Sequence, residues 1–136
     1  MENENIVIYP SQFDPSIQVM VIFPGHENYD GLKPLFDELG FGFVAPEENL
    51  VIINGDILGS EDNLDIDILR FIEAHELAHT MLKHNTRNPD DEKDADLYAF
   101  ILLGGKNYDT AQEYLVDSFE ERHGEPFDIS MIEKFR

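Results

Sequence analysis

The segment DIDILRFIEAHELAHTMLKH, Asp65 to His84, carries the clearest helical pattern in this 136-residue chain. Asp65 has the side chain of an N-cap, and Ile68, Leu69, Ile72, Leu77 and Leu82 recur at helical spacing behind it. Phe71, Ile72, Ala74, Leu77 and Ala78 make the middle of this helix apolar, so the polar residues among them face the protein interior.

Downstream the pattern stays helical. After a break at Asn85-Thr86-Arg87, Asn88 is a cap, Pro89 takes the first helical position, and Asp90 and Asp91 fall in the electropositive first turn. This second helix runs to Gly104-Gly105, a third spans Thr110 to His123 before Gly124, and a fourth runs from Ile129 to the end. Upstream, Ile6 to Tyr9, Ile17 to Phe23, Phe41 to Ala45 and Leu50 to Ile53 read as strands, with a helix from Tyr29 to Gly40 between the second and third. Asn54-Gly55 signals a hairpin, with Asp56 to Leu58 as a short returning strand. The expectation is one α+β domain over 1–136, its small mixed or antiparallel sheet packed on a helical second half.

Composition narrows the partners. Nine basic and 29 acidic residues give a formal charge of -20, which repels nucleic acid and anionic membranes. With 42% hydrophobic residues the chain can still form a core, and without cysteine it has neither a disulfide framework nor a thiol nucleophile. No apolar run reaches the length of a membrane span, and the start Met1-Glu2-Asn3-Glu4-Asn5 is acidic where a signal peptide is basic, so a cytoplasmic location is expected.

Within the central helix, His75-Glu76-Leu77-Ala78-His79 is an H-E-x-x-H sequence. Residues four apart project about 40° from one another, so both imidazoles can reach one metal ion, and Glu76 stands beside that ion as a general base. The plainer alternative is a structural pair of buried histidines. A zinc site of this type needs a third protein ligand. Patterns that place a histidine six residues after the second one fail, because positions 82 and 85 hold Leu82 and Asn85. His84 lies nine residues from His75, about 180° round a continuous helix, and is expected at the helix C-terminus. Glu92 is the better third ligand, with Asp96 one turn on to accept a hydrogen bond from the non-metal nitrogen of His75 or His79. Small Ala95 and Ala99 allow the two helices to approach. The alternative for Glu92 and Asp96 is a solvated acidic helix start. His26 reads as a loop histidine.

His75-Glu76-x-x-His79 followed by Glu92-x-x-x-Asp96 resembles the gluzincin zinc metallopeptidases, and the segments Arg70 to His79 and Glu92 to Leu103 are similar to the two motifs of the ImmA/IrrE-type peptidases. The resemblance covers about residues 50 to 105. It implies Zn²⁺ held by His75, His79 and Glu92, peptide-bond hydrolysis with Glu76 as base, and a protein or peptide substrate such as a basic DNA-binding protein. Stabilisation of the developing oxyanion falls to a Tyr or His, with His123, Tyr98, Tyr108 and Tyr114 as candidates, and the strand Leu50 to Ile53 is expected to offer its edge to substrate. The competing expectation is an acidic interaction module, a nucleic-acid mimic or basic-protein binder with a structural or vestigial metal site.

Overall fold

A computed structural model describes residues 5–60, 63–84 and 88–135. The break read at Asn85-Thr86-Arg87 and the first four residues lie outside them. The chain is α+β. Strands β1 (Ile6–Pro10), β2 (Gln18–Ile22), β3 (Gly42–Ala45) and β4 (Leu50–Asn54) form one sheet, and helix α1 (Tyr29–Leu39) connects β2 to β3. A two-residue ladder of β5 (Gly59–Ser60) and β6 (Asn63–Leu64) precedes helices α2 (Ile66–Met81), α3 (Pro89–Gly105) and α4 (Asp109–His123).

The sheet order is β1-β2-β4-β3, with β2 and β4 parallel and both outer pairs antiparallel. β4 is therefore central, and the expectation that Leu50 to Ile53 offers an edge is overturned: the edges are β1 and β3. The apolar run of β4 has its reason here, because a central strand is covered on both faces. On one face Val19, Val21, Val51 and Ile53, all fully buried, pack with Ile72 and Leu77 of α2 and with residues of α3 and α4. On the other, Ile22 and Ile52 meet Tyr29 and Phe36 of α1 and Phe43 of β3. Alternation along each strand thus separates a thick helical layer from the single helix behind the sheet.

Asn54-Gly55 does not open a hairpin. The Asn54 side chain accepts from the Asp56 amide at 3.0 Å and caps a 3₁₀ turn, Gly55–Leu58, where a returning strand was expected. The last segment, Ile129–Phe135, is likewise 3₁₀ and not α-helical. Asp65 and Asn88 cap α2 and α3 as read, accepting from the Ile68 and Asp91 amides, and Gly124 ends α4 in the left-handed region at φ 80°. None of the described helices is long and apolar enough to cross a membrane.

Two contacts fix α2 against the sheet. The fully buried Glu73 accepts hydrogen bonds from Tyr9 Oη (2.6 Å), Ser11 Oγ (2.8 Å) and the Gln12 amide (2.7 Å), tying the end of β1 to the helix two residues before His75. At the opposite edge, a Cβ placed on Gly42 would lie 3.1 Å from the Ile52 carbonyl oxygen, 3.4 Å from Ile72 Cγ2 and 3.6 Å from Glu76 Cγ. The tight approach is to the β4 backbone, while the α2 side chains lie at ordinary contact distance, so β3 packs directly on α2 at this glycine.

Candidate metal centre

α2 presents His75 and His79, 1% and 5% exposed, towards the first turns of α3, where Glu92 stands. His75 Nε2 is 3.2 Å from His79 Nε2 and 3.1 Å from Glu92 Oε1, and His79 Nε2 is 3.0 Å from Glu92 Oε2. These residues could hold a metal ion. Donor atoms about 2.0–2.1 Å from a tetrahedral zinc would be about 3.3 Å apart, within a few tenths of an ångström of the spacing found here. The chemistry of the set agrees with the distances. Two imidazole lone pairs and a carboxylate converge on one small volume, an arrangement that calls for a shared proton or a cation.

The ionisation of the metal-free site follows from this convergence. Burial opposes charging His75, but hydrogen bonds to Asp96 and Glu92 outweigh it and push its pKa up to about 10. Burial likewise opposes ionising Glu92 and Asp96, and their histidine partners hold both carboxyls below the usual range. A proton on His75 thus occupies the charge position that a metal would take.

Asp96, fully buried on α3, accepts from His75 Nδ1 at 2.8 Å, which leaves Nε2 of that ring directed at Glu92 and His79. The other carboxylate oxygen, Oδ2, meets Arg122 Nη1 and His123 Nε2 of α4. Arg122 lies over the Phe71 ring, 4.8 Å from its centroid, and its Nε donates to Ser118 Oγ at 3.1 Å. Nothing in the sequence pattern flags Arg122, because a charged residue near the end of a helix ordinarily faces water. A cleft of about 450 Å³ opens beside His75 and Glu92 and is also lined by Phe41, Pro89, Arg122 and His123.

Glu76 is fully buried on the β3 side of α2, against Gly42, whose chain neighbour Phe41 lines the cleft; Glu76 itself is not among the lining residues. Of the four oxyanion candidates, His123 alone among the described residues lines the cleft. Tyr98 packs on Phe135 at 5.5 Å between centroids, Tyr108 donates to Gln12 Oε1 at 3.1 Å, and Tyr114 packs edge-on against Phe71. His26 accepts from the Asn28 amide at 3.0 Å in the turn before α1.

His84 lies at the C-terminal end of α2, as expected, but not on the face opposite His75. α2 ends at Met81 and Lys83 takes a left-handed φ of 59°, so the helical extrapolation to 180° no longer applies. The turn swings His84 back, its amide donating to the His79 carbonyl at 2.9 Å and its Nδ1 reaching to 3.0 Å from His79 Nδ1.

No protein-family model, curated protein or solved structure matches the chain. The functional reading therefore stands on the site itself.

Proposed function

We propose that the protein is a zinc-dependent metallopeptidase that hydrolyses a peptide bond with water. The observation that carries this reading is the His75, His79 and Glu92 donor triangle with the carboxylate of Glu76 next to the first histidine on the same helix. Three protein donors, as distinct from four, would suit a catalytic zinc better than a closed structural one. The ion would supply Lewis-acid polarisation of that water and of the scissile carbonyl. Glu76 takes the proton of the attacking water and returns it to the leaving amine. Asp96 keeps the Nδ1–H tautomer of His75, so that Nε2 is the nitrogen available as a ligand. His123 and Arg122, both in the cleft wall and both held by Asp96 Oδ2, are the donors assigned to the oxyanion.

The edge strand next to Glu76 is β3, and an extended substrate would add to that strand in place of the central β4. A surface of net charge -20 favours basic protein substrates, including DNA-binding proteins, over nucleic acid itself. The test is metal content and cleavage of a peptide library by wild type and Glu76→Gln. The variant is expected to retain stoichiometric zinc and lose about 10²–10⁴-fold in rate. A wild-type protein that takes up no zinc ends this reading. One that binds zinc and a basic protein but cleaves nothing favours the acidic interaction module.

A further inference from the structure

The two metal-facing histidines are held from behind by different chemistry. His75 has the Asp96 carboxylate on Nδ1, an acceptor at every pH where it is ionised. His79 has a second imidazole, with the His79 and His84 Nδ1 atoms 3.0 Å apart and the rings edge-on at 5.1 Å between centroids. Only one proton can lie between those two nitrogens. If it belongs to His84, then His79 carries its own proton on Nε2, the atom 3.0 Å from Glu92 Oε2, and that nitrogen is closed to a metal. If it belongs to His79, then Nε2 is a free lone pair and His84 is the acceptor, with its own proton on Nε2 facing Asp91 Oδ1 at 3.6 Å.

We propose that His84 is the positioning residue of this metal site, accepting the Nδ1–H of His79 and thereby holding that ring in the tautomer and orientation in which Nε2 binds the ion. The assignment rests on the metal-site reading above. It gives a reason for the turn after α2: the left-handed Lys83 and the His84 amide bond to the His79 carbonyl return His84 to the ligand it supports. It also accounts for the 12% exposure of the His84 side chain, which a solvated helix-end histidine would not show. Asp91, in the first turn of α3, faces the far nitrogen of His84, so the α2–α3 pair supports His79 as α3 itself supports His75.

The experiment is zinc affinity by chelator competition for wild type, His84→Ala and His84→Gln, with the cobalt-loaded absorption spectrum of each and side-chain ¹⁵N–¹H spectra of the zinc-loaded wild type. His84→Ala should bind zinc about 10–100-fold more weakly and show an altered cobalt spectrum. His84→Gln, which retains an acceptor, should recover most of the affinity. In the wild type the proton should be found on His79 Nδ1 and be absent from His84 Nδ1. Equal zinc affinity in wild type and His84→Ala, or a proton on His84 Nδ1 in the zinc-loaded wild type, overturns the proposal while leaving the zinc site standing. Absence of zinc binding in the wild type removes both.

Discussion

Asp96 Oδ1 accepts a 2.8 Å hydrogen bond from His75 Nδ1, while Oδ2 of the same buried carboxylate meets Arg122 and His123. One side chain on α3 thus joins the His75 face of α2 to the last turn of α4. In Asp96→Asn the amide would set an NH₂ group against the Arg122 donors or against His75. Removing one partner of a buried charged network typically costs about 3–5 kcal/mol, and the loss should appear in urea unfolding of the metal-free protein. Because the Asp96 carboxyl is held below its ordinary range, its contribution is in force above about pH 4 and is lost as pH falls further, so the variant should also show a flatter acid limb. A variant within about 0.5 kcal/mol of wild type would make the network ornamental.

Zinc binding should release a proton. His75 is charged in the metal-free protein at neutral pH, since its pKa is pushed up to about 10, and a metal ion must displace that proton. Apparent zinc affinity is therefore expected to rise about tenfold per pH unit between roughly pH 7 and pH 9. The same proton stabilises the metal-free fold, fully below about pH 6.5 and progressively less up to the folded-state pKa, so the gain in thermal stability from zinc should widen as pH rises. Calorimetry in two buffers of different ionisation enthalpy gives the proton count directly. A count of zero would mean that His75 is neutral before the metal arrives.

The sequence carried more of the helical half than of the sheet, and the reason is physical. Capping by Asp65 and Asn88 and the facing of His75 with His79 depend on residues within one or two turns, so spacing alone reveals them. The α+β class and most strand positions were legible from the same kind of local pattern. Which strand is central depends on the long connection through α1, and the apolar run of Leu50–Asn54 reads equally well as an edge or a centre until pairing is known. Asn54 favoured a cap over a hairpin because its side chain found the Asp56 amide, a competition between two local hydrogen bonds that the dipeptide does not resolve. His84 does lie at the end of α2, but its 180° offset from His75 holds only for a continuous helix, and Arg122 and Glu73 acquire their partners only through tertiary packing.

Tyr9 should make the fold sensitive to alkali. Burial, then the charge of Glu73 and the hydrogen bond to it, raises the Tyr9 pKa well above the ordinary phenol value. The native state therefore keeps a proton that the unfolded chain gives up above about pH 10. The stability this contributes is complete below that pH and is lost above it, at about 1.4 kcal/mol per pH unit. Tyr9→Phe removes the extra alkaline slope and, by orphaning one acceptor site on Glu73, costs about 1–2 kcal/mol at pH 7. Urea denaturation of both proteins at neutral and alkaline pH compares the slopes; parallel curves would show that the Tyr9 proton is not linked to folding.

Gly42→Ala separates the fold of β3 from the chemistry of Glu76. The added methyl would sit 3.1 Å from the Ile52 carbonyl oxygen, so β3 must shift by a few tenths of an ångström against β4, and it would lie in ordinary contact, 3.6 Å, with Glu76 Cγ. Glu76 is fully buried and has little room to turn, so a shift of β3 is passed on to its side chain. Overpacking of this kind costs about 1–3 kcal/mol. Since His75, His79 and Glu92 lie away from the new methyl, zinc affinity should be unchanged while the catalytic rate falls by about tenfold or more, as expected when a base is displaced by a fraction of an ångström. Steady-state kinetics on the zinc-loaded variant, beside chelator competition, reads the two separately. Loss of zinc binding together with activity would mean that β3 positions α2 as a whole; an unchanged rate would mean that the shift of β3 does not reach the Glu76 carboxylate.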